Sequence, residues 1–170
     1  MRRRLINKIW NIVTTIILVI MVLLLAVMFV PKFFGIEPMI VLSGSMEPTY
    51  HVGALLYVDK DTSDIEVGDT ITFYSDKEKQ ILVTHRVVEI DYTQMIYYTQ
   101  GDANLVRDIN PVSKGDILGT PLFSIPNLGY LADKLSHTSG KIIYIICIVF
   151  VTILLFWGDY LWSSDKKKDS

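Results

Sequence analysis

The residue that first suggests chemistry in this chain is a serine in a predicted tight turn. Ser45 belongs to a Ser-Gly-Ser-Met-Glu-Pro run, and the proline cannot continue a helix because it lacks an N–H. Serine becomes an effective nucleophile only when an adjacent base takes its proton. A Ser-Gly-Ser turn is also common as a plain loop, so Ser45 needs a partner before it indicates catalysis.

His85 is the histidine best placed to be that base. It lies in a run of alternating residues that predicts a strand, with one face formed by Ile81, Val83, His85 and Val87. A rigid strand position suits a base that must be held in place, although a hydrogen-bonded core histidine would show the same pattern. His51 is too near Ser45 in sequence to judge, and His137 lies in a polar loop.

Two aspartates could supply the third group, which must orient the imidazole and stabilise its charged form. Asp102 and Asp108 follow a predicted strand in turn-like sequence. Asp102 comes directly after a glycine, which is equally typical of an aspartate that serves a turn. The residues alone leave the choice between the two carboxylates open.

The segment that must position these residues is predicted to be an all-β domain. Short runs rich in Val, Ile, Thr, Tyr and Phe alternate with Gly, Asp, Ser and Pro, and no helical periodicity competes with them. The predicted strands are residues 54–59, 70–74, 81–90, 95–100 and 117–122. The expected fold class is therefore mainly β, a small catalytic domain between two membrane helices.

Two apolar runs predict those membrane helices. Residues 9–30 carry no charge and are long enough to cross the ~30 Å hydrocarbon core, whereas a cleaved leader would have a shorter run ending in small residues. Residues 142–157 form a shorter run, which Tyr160, Leu161 and Trp162 extend to the headgroup region. We expect a retained anchor at 9–30 and a second span at 142–162. A helix lying in the interface or packing on the domain is the alternative for the second run.

Charge distribution predicts the orientation. Basic residues concentrate in residues 1–8 and in the Lys-rich tail, residues 163–170, and such residues stay on the cytoplasmic side. The segment 31–141 carries 9 Lys plus Arg against 15 Asp plus Glu and is expected outside the cell membrane. The formal net charge of −2 supplies no basic field for nucleic acid. Cys147 is the only cysteine, which excludes an intramolecular disulfide and a cysteine-based metal site.

These motifs, in this order, closely resemble the boxes of the type I signal peptidases. The matching segments are residues 43–49 after an apolar span, His85-Arg86-Val87-Val88, Gly101-Asp102-Ala103-Asn104 with Asp108, and residues 114–119. The general-purpose bacterial branch has a lysine directly before the Arg-Val pair. A histidine at that place resembles the endoplasmic-reticulum branch, also found in archaea and some Gram-positive bacteria.

The resemblance implies a membrane-bound serine endopeptidase that cleaves signal peptides from exported preproteins after small residues. It makes Ser45 the nucleophile, His85 the general base and Asp108 the acidic residue that completes the site. It gives Asp102 a supporting or secondary role and Ser43 that of a second oxyanion-hole donor, beside the Ser45 N–H.

The partners implied are preprotein signal peptides and the lipid bilayer, with the secretion translocon or accessory subunits left open. No metal, organic cofactor or nucleic acid is implied. The competing hypothesis is a catalytically silent, membrane-anchored β-domain that binds exported or envelope proteins. In that case Ser45 and His85 would serve a turn and a core.

Overall fold

The computed structural model describes residues 2–76, 78 and 80–166. The chain divides into two units, one formed by the helices near its two ends and the other by residues 30–133. The predicted tails fall partly on residue 1 and residues 167–170, which lie outside the described residues.

The first unit contains helix α1, Arg2–Phe29, and helix α3, Thr138–Lys166. Both helices are long and apolar enough to cross a membrane, by length and composition. Trp10 donates its indole N–H to the Leu154 carbonyl at 3.3 Å, and the Tyr144 hydroxyl donates to the Met21 carbonyl. The residue later in α1, Met21, contacts the residue earlier in α3, Tyr144, so the two helices pack antiparallel.

Helix α3 is longer than the second apolar run suggested. It continues through Gly158 and Asp159 without interruption, over 29 residues in all. At 1.5 Å per residue that length exceeds the ~30 Å of a hydrocarbon core. The prediction of an apolar helix at each end of the chain is confirmed.

The second unit is built on a seven-stranded antiparallel sheet. Its strands are β1 Ile36–Ile40, β2 Leu55–Asp59, β3 Thr70–Asp76, β4 Ile81–Asp91, β5 Ile96–Gln100, β6 Val112–Ser113 and β7 Ile117–Ile125. The strand order is β1-β2-β7-β3-β4-β5-β6. Short 3₁₀ segments occur at Val30–Phe34 and Lys114–Asp116. Helix α2, Leu128–Ser136, follows the last strand. The mainly β fold class is confirmed.

All five predicted strands are present, and the sequence missed β1, β6 and α2. Strand β1 contains Pro38, and a proline usually argues against a strand. However, β1 is at the edge of the sheet and pairs only with β2 among the described residues. A proline is tolerated there because an edge needs no ladder bond on its outer side. Strand β6 has two residues, too few to show a period. The expectation of no helix in this segment was wrong at α2.

The core of the second unit lies on one face of β3, β4 and β5. Its buried apolar residues are Ile65, Ile71, Phe73, Val87, Tyr97 and Val112. Burying each such side chain contributes about 1.5–3 kcal/mol relative to exposure. His85 is on the same face as Val87, is 7% exposed and lies edge-on to the Phe73 ring at 6.4 Å. The predicted alternation therefore places His85 in the core, beside a rigid apolar cluster.

Candidate functional site

Ser45 lies in a closed loop between β1 and β2. Val41 donates its N–H to the Ala54 carbonyl at 3.0 Å and Gly53 donates back to Val41 at 2.9 Å, which joins the two ends of the loop. Within the loop, Glu47 donates its N–H to the Gly44 carbonyl, and Met46 is only 2% exposed. The half-buried Ser45 is thus held in a tight turn, as the proline predicted.

The Glu47 carboxylate closes the same loop from its far side. One oxygen accepts the Val52 N–H at 3.2 Å, and the other lies 2.5 Å from Nδ1 of the exposed His51. His51, which the sequence left undecided, therefore contacts a carboxylate in its own loop. His137 lies between α2 and α3, in the stretch that joins the two helices.

His85 contacts Asp108. Its Nδ1 lies 2.6 Å from Asp108 Oδ2, and the same carboxylate oxygen accepts the Thr99 hydroxyl at 2.6 Å. The side chains are 9% and 24% exposed for His85 and Asp108. With Asp108 ionised, this geometry assigns the ring proton to Nδ1 and leaves Nε2 as the acceptor.

Asp102 contacts Arg86 instead. Arg86 donates to both carboxylate oxygens of Asp102, from Nε at 2.8 Å and Nη2 at 2.6 Å, and Thr49 donates to Oδ2 at 2.5 Å. The hydrogen bonds from Arg86 are the main reason that the pKa of Asp102 lies below its usual value, and they raise the pKa of Arg86 in turn. Arg86 also donates to the Gly68 carbonyl at 2.7 Å.

The two carboxylates that the sequence could not rank therefore have different neighbours. Asp108 lies against the imidazole, and Asp102 ties the Ser45 loop, through Thr49, to the strand that carries His85.

Ser45 and His85 both come close to Gly101. A Cβ at this glycine would lie 2.5 Å from the Ser45 carbonyl oxygen and 3.0 Å from His85 Nε2. The next residue but one, Ala103, donates its N–H to the same Ser45 carbonyl at 2.9 Å. Ser45 and His85 thus both lie close to a point that only glycine leaves empty. The sequence showed a glycine before Asp102 but not this close approach.

The Ser45 hydroxyl itself is oriented toward Ser43. The two Oγ atoms are 3.4 Å apart, and among the described residues the hydrogen bond of Ser45 Oγ is this one rather than a bond to His85. Catalytic hydrogen bonds are often long or absent in a free enzyme and form when substrate binds. The structure brings Ser43, Ser45, His85 and Asp108 into one region.

A cavity of about 610 Å³ extends from Ser43 and Ser45 along two strand edges that pair with no other strand in the described part of the chain. One edge is the outer side of β1. The other belongs to the first half of β4, which pairs with β3 over Ile81–Arg86 but meets β5 only from Arg86 onward. Leu56, Thr72 and Tyr50 are among the residues lining the space between these edges. The part of the chain that the structure describes holds no cluster of His, Cys, Asp or Glu suited to a metal ion.

Comparison with known proteins places this chain in a family. Residues 12–118 match the sequence profile described as signal peptidase, peptidase S26. The chain is 38% identical over 91 residues to Signal peptidase I W of Bacillus subtilis, covering 51% of this chain and 47% of that protein. It is 36% identical over 109 residues to the signal peptidase complex catalytic subunit sec11 of Pyrenophora tritici-repentis, covering 58% and 62%.

A third relative shares a longer segment. The signal peptidase complex catalytic subunit SEC11 of Lachancea thermotolerans is 31% identical over 128 residues, or 68% of this chain and 76% of that protein. The match spans about half the length of the Bacillus relative and less than two thirds of the Pyrenophora one. The bacterial and fungal relatives agree with the resemblance to the endoplasmic-reticulum branch. Since the profile covers more than half of the chain, the protein belongs to the signal peptidase family, peptidase S26.

Proposed function

We propose that this protein is a membrane-bound serine endopeptidase that cleaves signal peptides from exported preproteins. Ser45 is the nucleophile, His85 the general base and Asp108 the carboxylate that orients it. The observation that carries the proposal is the 2.6 Å contact of His85 Nδ1 with Asp108, together with the closeness of the two residues at Gly101, where one Cβ position lies 3.0 Å from His85 Nε2 and 2.5 Å from the Ser45 carbonyl oxygen. The names of the relatives, signal peptidase I and signal peptidase complex catalytic subunit, support it.

The reaction follows from the protonation of the imidazole. With Nδ1–H donated to Asp108, Nε2 takes the Ser45 hydroxyl proton as Oγ attacks the scissile carbonyl carbon. The tetrahedral intermediate collapses as its C–N bond breaks and Nε2 returns the proton to the leaving amine. Water then hydrolyses the acyl-enzyme, with the same nitrogen as base and then acid. Asp108 stabilises the imidazolium at both stages.

Ser43 is proposed to assist the oxyanion. Its exposed hydroxyl lies 3.4 Å from Ser45 Oγ, close to where the carbonyl oxygen of a substrate acylating Ser45 would be. Donors aimed at a developing oxyanion are worth about 10²–10³ in rate. The Ser45 N–H is proposed as the other donor. Asp102 supports the site by holding Thr49 and Arg86 in place.

The two unpaired strand edges suit an extended peptide. A segment lying between β1 and β4 would form backbone hydrogen bonds to either edge, with alternate side chains directed into the cavity. Backbone pairing is independent of the sequence of the bound peptide. The preference for small residues at the cut rests on the family resemblance.

Membrane insertion is proposed as a two-span hairpin. The antiparallel packing of α1 and α3 puts Arg2 and Lys166 at the same end of the helix pair, and the basic residues in both terminal segments of the sequence favour the cytoplasm. The proposed division is therefore a first span at 9–30, a peptidase domain at 31–141 outside the cell membrane, and a second span at 142–162. Residues 1–8 and 163–170 would be cytoplasmic.

Single-cysteine labelling tests this topology. In a Cys147→Ser background, Asn7→Cys and Ser164→Cys should react with an impermeant maleimide only after cells are permeabilised, and Ser63→Cys should react without permeabilisation. Labelling of Ser164→Cys in intact cells would remove the second span.

Cleavage of a preprotein in reconstituted membranes tests the activity, with mass spectrometry of the new N-terminus. The wild type should release a mature protein cut after a small residue, and Ser45→Ala should release none while remaining folded and inserted. Ser63→Ala, an exposed serine outside the site, is the matched control. Unchanged cleavage by Ser45→Ala would end the proposal. A wild type that binds the preprotein without cutting it would support the silent β-domain.

A separate experiment identifies the partner proteins. The name of the fungal relatives describes a catalytic subunit of a complex. We therefore count accessory subunits and the secretion translocon among the proposed partners, beside preproteins and the bilayer. Crosslinking in intact membranes followed by mass spectrometry identifies them.

A further inference from the structure

We propose that Thr99 is a positioning residue for this reaction, acting on His85 through Asp108. The inference rests on the proposed roles of His85 and Asp108. Thr99 lies on β5 and is fully buried, and its hydroxyl is the second donor to the carboxylate oxygen that His85 contacts.

Two hydrogen bonds join Thr99 to Asp108 in a closed ring. Thr99 Oγ1 donates to Asp108 Oδ2 at 2.6 Å, and the Asp108 N–H donates to the Thr99 carbonyl at 2.8 Å. One bond places the backbone of Asp108 and the other selects the rotamer of its side chain. The carboxylate oxygen that receives the threonine hydroxyl is thereby fixed where His85 Nδ1 meets it, also at 2.6 Å.

The loop around Asp108 has few buried contacts to hold it. Arg107 donates to Glu89 at 3.0 Å and lies over the Tyr98 ring, but this ion pair is exposed and such pairs contribute little. Leu105 is 100% exposed, Val106 74% and Ile109 96%, so the apolar side chains on either side of Asp108 bury almost nothing. An exposed loop with few buried apolar contacts belongs to the least stable part of a structure. Asp108 must nevertheless meet His85 within hydrogen-bond distance.

The register of the sheet explains how Thr99 can supply that position. Strands β4 and β5 pair antiparallel with Val87 opposite Thr99, and Val87 is two residues from His85 on the same face of β4. Thr99 is therefore on the His85 face of the sheet, on the neighbouring strand. Because Thr99 is held in the buried sheet, its hydrogen bond restricts the position of the Asp108 carboxylate, which belongs to the exposed loop.

Removing the hydroxyl should lower kcat without changing KM. A single hydrogen bond to a charged group is worth roughly a tenfold change in an equilibrium, so we expect Thr99→Val to lower kcat about tenfold. The cavity beside Ser45 is lined by other residues, such as Leu56, Thr72 and Leu82, so substrate binding should persist. Thr99→Ser, which keeps the hydroxyl, should remain within about threefold of the wild type.

The experiment measures kcat and KM for preprotein cleavage by the full chain in reconstituted membranes. Thr70→Val is the matched control, because Thr70 is also buried on a strand and its hydroxyl lies 3.0 Å from Tyr50 rather than near Asp108. Should Thr99→Val fail to fold, Thr99→Ala against Thr99→Ser isolates the hydroxyl in a second pair. In that pair kcat should differ about tenfold in favour of serine.

A second readout is independent of cleavage. The readout is the NMR signal of the His85 Nδ1–H proton in the chain labelled with ¹⁵N-histidine. This proton should exchange slowly with water because Asp108 accepts its hydrogen bond. The signal is assigned by its absence in His85→Gln. The signal should persist in Thr99→Ser and Thr70→Val and broaden or vanish in Thr99→Val.

The outcomes separate the two proposals. A wild type without Ser45-dependent cleavage refutes the proposed function. Ser45-dependent cleavage with equal kcat in Thr99→Val and Thr70→Val, or an unchanged His85 signal, overturns the role of Thr99 alone. Equal losses in Thr99→Ser and Thr99→Val would also overturn it, since the hydroxyl would then be irrelevant.

Discussion

Gly101→Ala is the substitution whose cost follows most directly from the structure. The added Cβ would lie 2.5 Å from the Ser45 carbonyl oxygen, whereas ordinary contact begins at 3.4 Å. The shortfall of about 0.9 Å must be absorbed by moving Ser45 or the loop after β5, and a 1 Å displacement at a reacting centre costs about 10²-fold in rate. The same Cβ would crowd His85 Nε2, at 3.0 Å. We expect kcat to fall on the order of 100-fold.

The assay for Gly101→Ala is preprotein cleavage at saturating substrate, with thermal unfolding measured in parallel. Overpacking should also lower the free energy of unfolding by about 1–3 kcal/mol. Gly115→Ala is the control, because a Cβ at Gly115 meets nothing within 4 Å and should leave the rate unchanged. A Gly101→Ala enzyme that cleaves as fast as Gly115→Ala would refute the close approach of Ser45 and His85 at this glycine.

Three further predictions concern the carboxylates and the base. Asp108→Asn should lower kcat by on the order of 10³–10⁴-fold because an amide can hold the wrong imidazole tautomer, and a larger kcat loss in Asp102→Asn would reverse the two roles. Acid should weaken the stabilisation that Asp102 provides: Arg86 lowers its folded pKa, so the contribution is complete above the unfolded value of about 3.9 and is lost as pH falls through the folded value. The gap in urea midpoint between wild type and Asp102→Asn should therefore be wider at neutral pH than at pH ~3. The cleavage rate should fall on acidification, because a protonated imidazole cannot act as a base, and a flat rate from pH ~8 to ~5 would argue against a histidine base.

The five strands predicted from runs of Val, Ile, Thr, Tyr and Phe between turn residues are all present, because the signal of each strand lies within a few neighbouring residues. The missed elements lack such a signal. Strand β1 contains Glu37 and Pro38 and exists because β2 pairs with it on one side. Helix α2 packs Gly129 so closely that a Cβ there would lie 2.6 Å from the Gly53 and Ala54 carbonyl oxygens, a contact with a segment distant in sequence.

Motif order and residue type were enough to single out Ser45 and His85, but not to rank the carboxylates. Asp102 and Asp108 are chemically identical and close in sequence. Their roles differ because Asp102 is hydrogen-bonded to Arg86 and Asp108 to His85, although Arg86 and His85 are adjacent on β4. Adjacent strand residues point to opposite faces, so each carboxylate meets the residue that faces it.

The sequence by itself determined the apolar helices, most of the strands, the family and the candidate nucleophile and base. These depend on periodicity and motifs, which are local properties of the chain. Only the tertiary structure decided that Asp108 contacts His85, that Asp102 is paired with Arg86, and that Ser45 and His85 come close together at Gly101. Those contacts join residues 16 and 23 positions apart, or bring separate loops together. They depend on the register of β4 against β5 and on how the following loop folds back, which no local pattern encodes.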